Sequence, residues 1–192
     1  MKLVVAITGA SGVELSLPLL EVLKEKGVKI FIVVSDAAKV VFEKEFGTKW
    51  EKVEETLKNN SEKIFSEREI YAPIASGSVY FDGMIILPCS MKTLAAIALG
   101  LEINLIARAA SVCLKEKRKL VLCVRETPLR IAHLKNMLSL AEEGAVILPL
   151  VMSFYGKEKN KYEFMINNII GKILSVFGLE FEKPWKWEES RG

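Results

Sequence analysis

This chain is poor in the residues that build metal centres and disulfide frameworks. A single histidine, His133, and three cysteines stand among 192 residues. No C-x-x-C or His-rich spacing joins them, so no metal site is expected. The odd set Cys89, Cys113 and Cys123, each in apolar surroundings, points to reduced thiols in a core and to a reducing compartment rather than cross-links. A nucleophile pair of Cys89 with His133 is open from spacing alone, but cysteine's common role as a small buried hydrophobe outweighs it. An excess of one charge is lacking too. The 27 Lys and Arg against 24 Asp and Glu leave +3, spread along the whole length without the basic stripe of a nucleic-acid binder. Long hydrophobic runs are also missing. Apolar residues make up 51% and mean hydropathy is +0.26, yet charges interrupt every apolar stretch before the roughly 18 to 20 residues that span a bilayer. No membrane partner is expected, and the surplus apolar surface predicts self-association. The opening "MKLVVAITGASG" has no cleavage site leading to a mature start and reads as a first strand, so a cytoplasmic location is expected. Repeats, low-complexity tracts and linkers are absent, and residues 1–192 are read as one domain.

What the chain does have is alternation of two patterns. The run Leu3 to Thr8 is β-branched and continuous, the Gly9 to Gly12 turn breaks it, and "ELSLPLLEVLKEKG" then spaces its apolar residues as a helix stopped at Gly27. Strand signals recur at Val28 to Val34, Met84 to Leu87, Leu120 to Val124 and Val146 to Leu148. Helical patterns follow Ser35-Asp36 to about Glu45, cover "MKTLAAIALG" and "NLIARAASVCLKEKR", and run over Ile131 to Glu142 and from about Tyr162 to Phe177. From Gly47 to Glu69 the polar composition predicts a surface helix and irregular chain. Strands apolar on both faces, alternating with amphipathic helices, predict an α/β fold: a Rossmann-like, doubly wound parallel sheet in a three-layer sandwich.

Such sheets bind ligands at the carboxyl ends of their strands. Gly9-Ala10-Ser11-Gly12 follows the first strand, Ser35 the second, Cys89-Ser90-Met91-Lys92-Thr93 the third, and Arg125-Glu126-Thr127 the fourth. Taken singly, Ser11, Ser35 and Ser90 read as helix N-caps, Gly9 and Gly12 as a tight turn without the full G-x-G-x-x-G fingerprint, Arg125 and Glu126 as a solvated ion pair, and His133 as a packing or hydrogen-bonding residue. Taken together, successive strand ends with small hydroxyl residues and one arginine describe a pocket for a flat, phosphorylated cofactor.

The motifs "ITGASG", "SDAAKVVFEKE", "ASGS", "PCSMKTLAAIALG", "NLIARAASVCLKEKRKLVLCVRETPL", "HLKNMLSLAEEGAVILP" and Phe154-Tyr155 resemble, in order, those of the UbiX/Pad-type flavin prenyltransferases. The likeness covers nearly the whole chain and is weakest over Gly47 to Glu69 and after Lys157. It implies a flavoprotein subunit of a dodecamer built from trimers, with FMN at subunit interfaces and no metal. It implies transfer of a dimethylallyl group from dimethylallyl monophosphate to N5 and C6 of reduced FMN, with the prenylated FMN passed to a UbiD-type decarboxylase.

Carried over by position, the resemblance gives FMN to Gly9, Ala10, Ser11, Ser35, Ser90, Met91, Lys92, Thr93 and Arg125. It gives the prenyl phosphate to Lys115, Glu126, Tyr155 and Lys172, with Arg108 from a neighbouring subunit. Glu45 matches a further acidic residue of the site, and Trp187 (or Trp185) in the tail from about residue 179 matches a pocket tryptophan. Cations and hydroxyls suit the departing phosphate, aromatic faces suit the allyl cation, and Glu126, Ser11 or the released phosphate would take the proton lost on ring closure. Without the resemblance Lys115, in "LKEKRK", reads as a solvated helix end. Leu15-Ser16 stands where the family shows Tyr-Gly, Lys172 where it shows arginine, and Gly156 to Lys159 replaces its proline-bearing loop. Two other readings are a flavoprotein of the cysteine-decarboxylase group, whose Pro-x-Met-Asn motif the chain lacks, and a non-catalytic flavin carrier.

Overall fold

The computed structural model describes residues 1–151 and 160–181. They belong to two compact units, Met1–Pro149 and Leu150–Gly192. The first unit is built on a parallel sheet whose strands are β1 (Lys2–Ile7), β2 (Lys29–Val34), β3 (Lys63–Ser66), β4 (Gly83–Cys89), β5 (Lys119–Val124) and β6 (Val146–Ile147), in spatial order β3-β2-β1-β4-β5-β6. Helices α1 (Ser16–Glu25), α2 (Asp36–Glu45), α3 (Trp50–Asn59), α4 (Met91–Ala98), α5 (Leu105–Lys115) and α6 (Ile131–Glu142) connect them. Chain order runs outward from β1 to β3, then returns past β1 to start again at β4. The direction of winding therefore reverses between β1 and β4, and right-handed crossovers place the two sets of helices on opposite faces.

Side-chain alternation fills both faces. Val4, Ala6, Met84, Ile86, Leu120 and Leu122 join Leu94, Ile97, Leu105, Ile106 and Cys113 of α4 and α5 in one buried cluster. Their strand neighbours Leu3, Val5, Ile7, Ile85, Val121 and Cys123 are equally buried and point the other way. On that side Leu19, Leu20 and Leu23 of α1 are fully buried. A leucine so placed contributes roughly 1.5–3 kcal/mol of apolar burial.

Two elements differ from the sequence expectation. The charged segment Gly47 to Glu69 holds α3 and also β3, paired parallel to β2 at the sheet edge. Four residues with one buried side chain, Phe65, carry too little pattern to announce a strand. The first helix does not start at the glycine turn. Gly12, at φ 94°, opens a single 3-10 turn over Val13–Leu15, and α1 begins at Ser16. Pro18 falls in its first turn, where a missing N–H costs nothing.

The second unit contains α7 (Lys161–Val176), capped by the Asn160 side chain on Glu163 N–H. Its stripe of Phe164, Ile169, Ile170, Ile173 and Leu174 is buried, and Lys172 is exposed.

Candidate functional site

The carboxyl ends of β1 and β4 are joined by one buried hydroxyl. Thr8 Oγ1 donates to the Pro88 carbonyl at 2.8 Å and accepts the Ser90 N–H at 2.8 Å. Thr8 is 1% exposed; it continues an apolar strand, so nothing in the sequence pattern separates it from the core. Around this tie lie the glycine turn of residues 9–12 and the start of α4. Gly9 is required by close approach: a Cβ there would lie 2.4 Å from Ala37 Cβ in α2. Gly12 is required by its positive φ.

The serines divide by environment. Ser35 is buried, and its hydroxyl caps α2 by accepting Ala38 N–H at 3.1 Å. Ser90 caps α4, accepting Thr93 N–H at 3.3 Å and donating to Thr93 Oγ1 at 3.1 Å. That relay leaves the Thr93 hydroxyl proton available to a further acceptor. Ser11 is half-buried and, among the described residues, its hydroxyl has no hydrogen-bond partner. Neither the 3-10 turn nor α1 has a side-chain cap, so the 3-10 turn beside Ser11 keeps backbone donors that an anion can engage.

β5 delivers Arg125 and Glu126 to the same edge, both exposed. Arg125 N–H donates to the Cys89 carbonyl at 3.4 Å, tying this corner to the end of β4. Glu126 carboxylate accepts Thr127 N–H at 3.0 Å, and no ion pair joins it to Arg125 among the described residues. Gly9, Ala10, Ser11, Ser90, Met91, Lys92, Thr93, Arg125 and Glu126 are therefore gathered at the β1/β4 reversal and the adjoining end of β5, with Ser35 next to them at the end of β2.

Three predicted residues lie elsewhere in the first unit. Arg108, in the first turn of α5, donates to both Glu102 oxygens at 2.7 and 2.6 Å and to the Ala75 carbonyl at 2.9 Å. The Ser111 hydroxyl and then Arg108 hold the Glu102 carboxyl below its usual range. Lys115 ends α5, 11 residues long, so it lies roughly 15 Å from the start of that helix. It pairs with Glu116 at 3.0 Å, beside Gly77 and the amino ends of the strands. Glu45 is likewise the exposed last residue of α2, a helix length from Ser35. Lys172 lies on α7 of the second unit, and Tyr155, Trp185 and Trp187 lie outside the described residues.

Cys89 does not serve as a nucleophile. It is fully buried, and burial pushes its thiol up to about 12. His133 instead accepts Arg130 N–H on Nδ1 at 3.2 Å, closing the start of α6. No group of His, Cys, Asp and Glu able to hold a metal occurs among the described residues, and no helix there is long and apolar enough to cross a membrane. Two cavities open away from the reversal. One of about 380 Å³ is lined by Ile70, Tyr71, Ala75, Glu102 and Arg108, the other, of about 510 Å³, by Trp50, Lys39 and β3.

Comparison with known proteins agrees with this fold. The model of the flavoprotein family matches residues 1–176. The flavin prenyltransferase UbiX of Archaeoglobus fulgidus is 46% identical over 182 residues, covering 95% of this chain and 97% of that one. The crystal structure of AnUbiX (PadA1), in complex with FMN and dimethylallyl pyrophosphate, superposes with a TM-score of 0.89 at 40% identity, covering 97% of this chain and 98% of that one. A dodecameric FMN-dependent UbiX-like decarboxylase from Escherichia coli O157:H7 gives a TM-score of 0.88 at 38% identity, covering 98% of this chain and 100% of that one. With a doubly wound sheet, hydroxyl-bearing turns at its reversal point and this similarity along nearly its full length, the chain belongs to the UbiX-type flavin prenyltransferases of the flavoprotein family.

Proposed function

We propose that this protein transfers a dimethylallyl group from a dimethylallyl phosphate to reduced FMN and releases prenylated FMN to a UbiD-type decarboxylase. The observation that carries the reading is the gathering of Ser11, Ser90, Thr93, Arg125 and Glu126 at the β1/β4 reversal of a chain in this family. The donor set fits the nucleotide: an uncapped 3-10 turn and hydroxyls for its phosphate and ribityl chain, and one arginine, with no competing cluster of carboxylates among the described residues. Residues 9–11, Ser35, residues 90–93 and Arg125 would hold it. Reduced FMN, when bound, supplies the nucleophilic positions N5 and C6.

The protein's own groups have three tasks. They grip the prenyl phosphate as negative charge grows on it, exclude water from the allyl fragment, and remove the proton released on ring closure. Lys115, Lys172, Tyr155 and Arg108 suit the first, Trp187 and the tail from about residue 179 the second, and Glu126 or Ser11 the third. Lys115 and Glu45 sit at the far ends of α5 and α2, so each would meet a flavin only at another protomer. A trimer-built dodecamer with FMN at its interfaces meets that requirement, as do the exposed apolar residues Ile131, Leu134 and Leu138 of α6. The reduced state of the three cysteines suits a cytoplasmic location.

The test is anaerobic incubation with reduced FMN and either dimethylallyl monophosphate or the diphosphate, reading the flavin's mass. Prenylated FMN that activates a UbiD-type enzyme is the expected product. Recovery of unchanged FMN with both donors would leave only a flavin carrier. Glu126→Gln and Lys172→Ala are expected to slow turnover by about 100-fold or more, as loss of one preorganised donor or acceptor does; full turnover in both variants removes the assigned roles.

A further inference from the structure

Glu67 lies in a charged stretch, and its sequence context does not single it out. Its position does, because each of its polar groups engages a different element. Its N–H donates to the Val34 carbonyl at the end of β2 at 3.3 Å, and its own carbonyl accepts Leu105 N–H at 2.8 Å. One carboxylate oxygen accepts the Asp36 N–H at 2.8 Å, and the other accepts Nδ2 of Asn104. Asn104 in turn caps α5 through its Oδ1, which accepts Ala107 N–H at 3.0 Å. A half-buried negative charge thus lies against the amino ends of α2 and α5 together, where both helix dipoles favour it. The neighbouring Arg68–Asp36 pair, in which the arginine is largely in solvent, contributes little.

Those two helix starts carry different parts of the proposed machinery. α2 begins directly after Ser35, assigned to the flavin. The first turn of α5 carries Arg108, assigned to the prenyl phosphate of an adjoining protomer. We infer that Glu67 is a positioning residue for prenyl transfer: its carboxylate fixes the flavin turn of one site and the arginine lent to the next in a single arrangement, touching neither ligand. The inference rests on the prenyltransferase reading above.

The test compares Glu67→Ala and Glu67→Gln with wild type and with Glu21→Ala, an exposed control on α1. FMN affinity is titrated by fluorescence without prenyl donor. KM and kcat for dimethylallyl monophosphate are measured separately, and Tm is recorded. In Glu67→Ala both the FMN Kd and the prenyl-donor KM are expected to rise about tenfold, the effect of losing a hydrogen bond to a charged group, with kcat nearly unchanged. Glu67→Gln keeps one acceptor and should fall between Ala and wild type. A lowered Tm with unchanged Kd and KM makes Glu67 merely structural and overturns the inference, as does a loss confined to kcat. If Glu67→Ala fails to fold, Glu67→Gln decides by the same two readouts. Absence of turnover in wild type would refute the prenyltransferase reading, whereas the FMN titration judges Glu67 in either case, unchanged affinity in both variants counting against it.

Discussion

At the scale of single residues, the corner where β1 and β4 end is held by close packing and by one buried hydroxyl. Thr8→Val keeps shape but leaves the partly buried Ser90 N–H without its acceptor, at a cost of about 1 kcal/mol. The expected result is a lowered Tm together with weaker FMN binding, measured by thermal unfolding and flavin fluorescence. Gly9→Ala drives a methyl into Ala37, and overpacking of this kind costs roughly 1–3 kcal/mol. The thiols offer a check on the core. Burial raises Cys89 and Cys113 to about 12 and Cys123 well above its ordinary value of 9.0. All three should resist a thiol reagent at pH 8 in the native protein and react once it is unfolded. Because these folded values are raised, the neutral thiols' contribution is fully present below pH 9.0 and is lost as pH rises toward about 12. The place of Ser11, Ser90, Arg125 and Glu126 at strand ends was legible in the sequence because an apolar run ending in hydroxyl or charged residues marks such an end. Thr8 and Glu67 were not: one hides inside an apolar strand and the other inside a charge run, and only long-range pairing gives either a role.

At the scale of elements, two caps organise the crevice and one tether fixes the opposite edge of the sheet. Ser35→Ala and Ser90→Ala each remove a helix cap, at a cost of about 0.5–2 kcal/mol. Ser90→Ala also breaks the relay to Thr93, so it is expected to weaken flavin binding beyond its effect on Tm. Asp82 tethers the start of β1, accepting Lys2 N–H at 2.6 Å. That bond is the main reason its carboxyl is held below the ordinary 3.8. A lowered folded value means that the contribution is present above pH 3.8 and is lost as pH falls through the folded value. Asp82→Asn should therefore flatten the acid limb of a stability-versus-pH curve. The long elements were visible from periodicity, since β1, β2, β4 and β5 are buried on both faces. β3 escaped because its four residues show one buried side chain, and its strand state comes from pairing with β2.

At the scale of the whole molecule, the proposed roles of Lys115 and Glu45 call for self-association, because each stands at the far end of its helix from the β1/β4 reversal. The family resemblance implies a role for Lys115 in the reaction, and in the fold it stands at the opposite edge from its own Ser90. If neighbouring protomers complete each site, Lys115→Ala and Glu126→Gln chains, each strongly slowed alone, should regain activity when dissociated together and reassociated. Random pairing returns about a quarter of sites with both residues intact. No recovery would place both groups in one protomer's site. The most direct measurement of the central claim is a crystal structure with reduced FMN and dimethylallyl monophosphate bound. The account predicts the nucleotide phosphate against the Gly9–Gly12 turn, the ring reaching Ser90 and Arg125, and the prenyl phosphate beside Glu126 in contact with a second protomer's Lys115. A flavin seated in the Trp50 cavity, or a prenyl phosphate held away from Glu126 and Lys115, would contradict it.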